Sequence, residues 1–421
     1  MTKIGFKITC LTPPLGTQLA GHAILDRKAT GVHDDLFCRA IVIENNGVDY
    51  CIIQNDLIGV DYDFVSVVKE GIVALGIKDE NILVGVTHTH SGPKGLVKNV
   101  KGTPEQVELT RGKYNEELVK QYQKNMIEAA EIALSNKVSC TMRYGFSEIF
   151  GISSNRNDKN KAGDPNLLAM EFIREDGKKI LVYNFSCHPT IMNHGNYLIT
   201  ADYPHGVAKN SEGINHEMVM FLNGSAGDVS TRFTRKEKSF EEIDRVGKII
   251  WDKITEALEK AEVVDIEEMT IKNATYRISL KEAESVADAQ AKFDRYKAEL
   301  KEAVEKNMPD IRTYESFVEG AQFGLIRAHI HTGEEFAEIH YKILKINDLS
   351  FVFVPSELFS DLTNPLKEKY GNKLLFCTYF NGSMGYIADK ASYDNDTYET
   401  QTSNFERGQG EAFMADIEKQ L

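Results

Sequence analysis

Two histidines two residues apart, His88 and His90, are the first groups in this sequence that could do chemistry. They stand in Thr87-His88-Thr89-His90-Ser91-Gly92-Pro93, directly after the apolar run Ile82 to Val86. That run has the length and β-branched content of a buried strand. Gly92 and Pro93 force a turn after it. In extended backbone, residues two apart face the same side. The two imidazoles are therefore expected to converge on one point, as a metal clamp does. An H-x-H pair alone is a weak signal in a chain with 11 histidines, and its place at a strand end raises its weight.

Other apolar runs end in the same manner. Leu181 to Phe185 leads to Cys187-His188-Pro189, and Val219 to Leu222 leads to Asp228 and Ser230. Phe351 to Val354 leads through Pro355 to Glu357, and Leu374 to Phe380 leads to Asn381 and Tyr386. Ligands of α/β sheets bind beyond the carboxyl ends of strands. If these strands share one sheet, their end groups gather at one mouth. Two imidazoles and a carboxylate suit zinc, and a catalytic zinc keeps a position for water. Taken singly, each residue also has a structural reading. A His before Pro is commonly a loop hydrogen-bonder, and Glu357 suits a helix N-terminus. Tyr386 suits packing, and Ser230 suits a turn cap. The joint placement carries the chemical reading. Asp56, at the end of its own strand, is a candidate hydrogen-bond partner for a metal-bound His. In Arg327-Ala328-His329-Ile330-His331 the alternation predicts a strand with one wet face, and these histidines are read as structural.

These groups must be positioned by the elements between them. Residues 2–10 read as a strand. Cys38 to Glu44 and Asp49 to Gln54 form a hairpin around Asn45-Asn46-Gly47. Asp63 to Leu75 reads as a helix, and Glu105 to Ser135 as a long one with Leu118, Tyr122, Met126 and Ala130 spaced by four. Lys137 to Phe150 is strand-like and 153–166 a loop. Ala169 to Arg174 and Lys179 to Phe185 make another hairpin, and Met218 to Leu222 is a short buried strand. Phe240 to Ala261 is an amphipathic helix. Lys281 to Asn307 is charged and Ala-rich, half of a helical excursion spanning about 281–335. Glu338 to Ile346, Ser350 to Val354 and Lys373 to Phe380 are strands. The expected architecture is α/β, with a mixed β-sheet flanked by helices in one catalytic domain over 1–421.

Composition sets outer limits. The net charge of −14 argues against nucleic acid or an anionic membrane as partner. Six scattered cysteines with no C-x-x-C read as buried thiols of a reducing compartment. The start, Met1-Thr2-Lys3-Ile4-Gly5-Phe6, has no signal-peptide core, and no apolar run reaches membrane-spanning length. A cytoplasmic location, with no stable membrane insertion, is the expectation.

Together the motifs resemble the neutral/alkaline non-lysosomal ceramidases. T-H-T-H-S-G-P stands at 87–93, F-S-C-H-P-T at 185–190, G-S-A-G-D-V-S at 224–230 and V-P-S-E at 354–357. G-Y-I-A-D-K-A-S-Y follows at 385–393, then Tyr398-Glu399, all in the family's order. The resemblance implies Zn2+ held by His88, His188, Glu357 and Tyr386. It places Ser230 on the serine assigned as the family's nucleophile, and His90 beside the metal. It places Arg156 on the arginine of an N-R pair, and Tyr398 in a tyrosine-glutamate stretch near the active site. Departures from the family pattern lie around substrate contact. They are Thr231-Arg232 after G-D-V-S, Lys94 after S-G-P, and Asn157-Asp158 after Asn155-Arg156. The sequence ends at Leu421, where known members continue into an immunoglobulin-like domain.

The expectation is a zinc-dependent amidohydrolase that cleaves an N-acyl bond by metal-activated water, with Ser230 as an auxiliary. No G-x-S-x-G elbow surrounds Ser230, which favours that path over an acyl-enzyme. The expected substrate is a small soluble amide, or an ester or lactone, and not long-chain ceramide. A true ceramidase, another metallohydrolase and a non-catalytic zinc-binding relative are the alternatives. A (β/α)₈ amidohydrolase barrel ranks below, because two antiparallel hairpins do not fit it.

Overall fold

The computed structural model describes residues 2–21, 26–98, 111–309, 311–330 and 333–421. Its longer strands are β1 (Lys3–Cys10), β2 (Phe37–Asn45), β3 (Val48–Asn55), β4 (Ile82–Val86), β5 (Val138–Glu148), β6 (Asn166–Arg174), β7 (Lys179–Phe185) and β8 (Met218–Asn223). They are followed by β9 (Met269–Ser279), β10 (Phe336–Ile346), β11 (Leu349–Phe353) and β12 (Leu374–Cys377). The longer helices are α1 (Tyr62–Val73), α2 (Glu116–Ser135), α3 (Phe240–Glu259), α4 (Val286–Glu305), α5 (Ile311–Ile330), α6 (Ser360–Tyr370) and α7 (Gln409–Gln420).

The α/β arrangement of mixed sheet and flanking helices is present, in two sheets where one was expected. The larger has the order β8-β7-β6-β5-β1-β2-β3-β4, with the short strand Val263–Val264 against β5. The smaller has the order β9-β10-β11-β12. Three neighbouring pairs are parallel: β3 with β4, β7 with β8, and β11 with β12. The remaining neighbours are antiparallel.

Side-chain alternation explains the layering. On β2, Ile41 and Ile43 face the second sheet, while Cys38, Ala40 and Val42 face α1 and α2. On β7, Ile180 and Val182 face the second sheet, while Leu181 and Tyr183 face α3. On β11, Phe351 and Phe353 point back at the first sheet, while Val352 points toward α6 and α7. The layers therefore run helix, sheet, sheet, helix. With both faces covered, these strands are apolar along their length.

The two sheets are joined near the carboxyl ends of their parallel strands. Asn381 N donates to Val84 O at 2.7 Å, and Val86 N donates to Tyr379 O at 3.2 Å. Thr378 N donates to Asn223 O at 2.9 Å. The buried Asn184 amide donates to Leu222 O at 2.8 Å and to Phe376 O at 3.0 Å, one carbonyl from each sheet.

Several sequence expectations change. The hairpin turn is as expected, with Asn46 and Gly47 both at positive φ (51° and 77°). Within its described part, the long helix begins at Glu116, where Asn115 caps it by accepting from Leu118 N. Residues 105–110 of its expected span lie outside the described residues. β9 was not anticipated, because it is an edge strand with mostly exposed polar positions. His329 lies in the last turn of α5 and not on a strand, and His331 lies outside the described residues. Five alternating residues are too few to tell a strand from a helix there. The buried set Val318, Ala321, Gln322, Leu325 and Ile326 repeats at helical spacing. α5 packs on α4 through Tyr296, Val318 and Ala321. Among the described residues, no helix is long and apolar enough to cross a membrane.

Asn184 ties the sheets together where the strand ends meet. Asn184→Ala is expected to remove both bonds across the junction and to lower stability by about 1–3 kcal/mol. Urea unfolding at neutral pH measures this.

Candidate metal centre

The groups beyond the parallel strands do meet, but they come from both sheets. His88 follows β4, His188 follows β7, and Glu357 follows β11. Glu357 Oε2 lies 3.2 Å from His188 Nε2 and 3.4 Å from His88 Nε2. The ring centroids of His88 and His188 are 4.8 Å apart, and those of His88 and His90 are 5.0 Å apart. One nitrogen from each of His88, His90 and His188 lies within 4.8 Å of the others.

Each imidazole is oriented by backbone. His88 Nδ1 is 2.6 Å from Ile58 O, and His188 Nδ1 is 2.5 Å from Ala226 O. A carbonyl can only accept, so each Nδ1 carries the hydrogen. In the neutral rings the lone pair is then on Nε2, pointing at Glu357. Burial lowers the pKa of His88 to about 4. Burial and the neighbouring Arg156 also lower that of His188. Burial raises Glu357, but positive charge on His88 and His188, and on Arg156, outweighs this and lowers it; beside neutral rings the Arg156 charge remains. Two lone pairs thus face an ionised oxygen, an arrangement that asks for a cation. Donors about 2.0–2.1 Å from a tetrahedral zinc stand roughly 3.3–3.4 Å apart. The observed spacings and the N, N, O donor set fit such an ion.

The convergence of His88 and His90 has a different origin from the one expected. His88 has φ 70°, in the left-handed region, so the pair is not extended. A turn immediately after β4 aims the ring, and His88 N donates to Leu57 O at 2.9 Å. Tyr379 is left-handed too, at φ 65°, and its ring stacks on His88 at 4.1 Å and 17°. Backbone strain of this kind collects at functional sites and costs about 1–3 kcal/mol per residue. The Tyr379 hydroxyl donates to Glu357 Oε2 at 3.4 Å. Sequence reading passed over Tyr379, because it lies inside an apolar run. His90 Nδ1 is 3.0 Å from Gly21 O. A Cβ on Gly21 would lie 2.4 Å from His90 Cβ, so this close approach needs glycine.

Tyr386 is registered directly against Glu357 by the short parallel pair Glu357–Leu358 and Tyr386–Ile387. Burial raises its phenol well above the ordinary value, so it carries its proton when no cation is near. The Arg156 guanidinium lies 5.3 Å over the Tyr386 ring, and Arg156 Nη1 is 3.4 Å from His188 Nε2. Tyr398 meets Tyr386 edge-on at 6.0 Å. His88, His90, Glu357, Tyr386 and Tyr398 line one cavity of about 560 Å³.

Ser230 is next to His188 through a backbone bridge. Its hydroxyl accepts from Arg232 N at 3.2 Å, and it does not line that cavity. Asp56 does not reach a histidine. It accepts from Arg39 Nη1 and Phe37 N, each at 2.9 Å, in a buried ion network. The Ile58 carbonyl takes the role expected of it, two residues along the same chain.

Two further carboxylates support the site. Glu399 Oε1 pairs with Arg156 Nε at 2.6 Å, and its Oε2 accepts from Asn157 at 2.9 Å. Asp228 accepts from Ser360 N at 2.5 Å, from Ser360 Oγ at 2.9 Å and from Asn155 Nδ2 at 3.0 Å. Its own carbonyl accepts from Arg156 N at 2.8 Å. Asp228 thereby fixes the loop that presents the Ala226 carbonyl to His188. The same loop lies on the backbone of Glu357, where a Cβ on Gly227 would sit 2.7 Å from Glu357 O. Their order in the sequence made both acids visible as motif residues, but only the fold shows whom they hold.

Asp228→Ala is expected to strand three donors and cost at least about 3 kcal/mol. It should also weaken binding of an added divalent metal, because the His188 carbonyl partner loosens. Denaturation together with metal analysis of the purified variant checks both effects.

The family profile described as neutral/alkaline non-lysosomal ceramidase, N-terminal, matches residues 3–233. Among solved structures, one described as a ceramidase complexed with C2 is similar over 100% of this chain and 76% of its own, at 16% identity and a TM-score of 0.75. The crystal structure of neutral ceramidase from Pseudomonas aeruginosa is similar over 99% of this chain and 73% of its own, at 18% identity and a TM-score of 0.76. At these identities the structural likeness is one of fold.

Proposed function

Because this chain belongs to the neutral/alkaline non-lysosomal ceramidase family, we propose that it is a zinc-dependent hydrolase of an N-acyl amide bond. Its substrate is a small soluble amide, and an ester or lactone is the nearest alternative. The observation that carries the reading is the meeting of two imidazole lone pairs with an ionised carboxylate. His88, His188 and Glu357 would hold the ion, with Tyr386 registered beside Glu357 as the fourth donor. Zinc at such a site polarises a carbonyl and brings the pKa of bound water toward ~7.

Hydrolysis puts a hydroxyl on the acyl carbon and a proton on the leaving nitrogen. His90 lines the cavity beside His88 and is placed to move that proton. Arg156, locked by Glu399, keeps a fixed positive charge behind the site, where oxyanion charge develops. Tyr398 lines the cavity against Tyr386 and orients the substrate. Ser230 acts as an auxiliary, its hydroxyl engaged with Arg232 N beside the His188 backbone. The cavity volume of about 560 Å³ falls in the range of sites for drug-sized ligands, about 300–1,000 Å³. A small amide fits within it.

Glu357→Gln keeps the shape and removes the anionic donor. Wild type is expected to carry one zinc per chain, with activity lost on chelation and restored by zinc, and the variant to hold markedly less. Full zinc content and full activity in the variant would remove Glu357 from the ligand set. Ser230→Ala is expected to slow turnover while leaving measurable hydrolysis and normal zinc. Burst kinetics in wild type, with a Ser230 adduct seen by mass spectrometry, would establish an acyl-enzyme path instead.

A further inference from the structure

The cavity has two unlike walls beyond the metal end. One is built from 93–98 and 111–115, tied together by Gly95 N donating to Arg111 O and Asn115 N donating to Gly95 O, both at 2.9 Å. It presents Lys94, Lys98 and Arg111. The other wall is α5, which presents Phe323, Ile326, Ile330 and Arg327. The cavity's charged lining is therefore four cations and two carboxylates. Glu357 lies at the metal end, and Asp61 caps α1 through Phe64 N while its charge also acts on Arg111. Among the described residues, no carboxylate forms an ion pair with Lys98, Arg111 or Arg327. Lys98 instead lies over the Tyr114 ring at 5.8 Å, and Arg327 donates to Ser403 O at 2.8 Å. The whole chain carries a net charge of −14, so a cationic cavity runs against its own surroundings. Low-dielectric walls lined by one sign of charge concentrate ligands of the opposite sign.

Resting on the hydrolase reading above, we propose that the natural substrate is an anionic N-acyl compound. Its amide sits at the metal end, a carboxylate faces Lys98 and Arg111, and a short apolar part packs on Phe323, Ile326 and Ile330. A neutral lipid amide would add no negative charge to a lining in which cations outnumber carboxylates. An acid of the N-acyl amino acid type supplies one. The apolar wall then selects for a hydrocarbon portion but has room for only a modest one.

The test uses zinc-loaded enzyme and two matched pairs. The first pair is N-octanoylglycine and N-octanoylglycinamide, with the charge on the amine side. The second is the mono-octylamide of succinic acid and its terminal carboxamide, with the charge on the acyl side. In at least one pair the carboxylate is expected to exceed its neutral partner by about tenfold or more in kcat/KM, the scale of one charge-assisted hydrogen bond. That ratio should shrink with added salt, and it should shrink in the double variant Lys98→Met with Arg111→Met. Equal or reversed ratios in both pairs, with hydrolysis observed, would overturn the inference and leave the hydrolase reading standing. If no pair is hydrolysed, the hydrolase reading fails. Calorimetry on the same pairs still decides the inference: tighter binding of a carboxylate supports it, and equal affinities overturn it.

Discussion

A buried carboxylate facing two imidazole lone pairs is not stable by itself, and much of this molecule exists to hold that arrangement. An ionised oxygen taken from water loses several kcal/mol of solvation unless partners replace it. Glu357 has the Tyr379 hydroxyl and the nearby Arg156 charge, while the two Nε2 lone pairs beside it add to the demand for a cation. The imidazoles cannot turn away, because the Ile58 and Ala226 carbonyls hold their other nitrogens. The strained backbone at His88 and Tyr379 and the close approach at Gly227 follow from the same demand. Each is tolerable only because packing around it fixes the conformation.

The chemistry was legible in the sequence to the extent that it lay in local strings. His88, His188 and Glu357 each follow a short apolar strand, and a strand end is a local property. Most strands and helices were legible for the same reason, since burial on both faces leaves unbroken apolar runs. The pairing of the runs was not. Nothing local in β11 and β12 says that they form a second sheet, because sheet membership depends on partners far along the chain. The edge strand β9 hid for the opposite reason, its exposed positions carrying little apolar pattern.

Roles played through other residues were the least visible. Asp56 sits at a strand end as the ligand residues do, but Arg39 from the neighbouring strand claims it. Tyr379 reads as one more apolar residue until its ring is seen on His88. Glu399 and Asp228 matter through Arg156 and the 224–230 loop, contacts that exist only after the sheets have joined. The stretch after residue 281 reads in the sequence only as a charged helical excursion. One of its two helices is a wall of the cavity that contains the metal end.

The proposed donor atoms come from four segments: two follow strands of the first sheet, and two form the short pair that lies beyond β11 and β12. During synthesis His88 and His188 leave the ribosome long before Glu357 and Tyr386 exist. A nascent chain that has completed only the first sheet would offer imidazoles without their oxygen partners. On the proposed ligand set, an ion would therefore join as a late lock on a finished molecule, not as a nucleus around which the chain assembles.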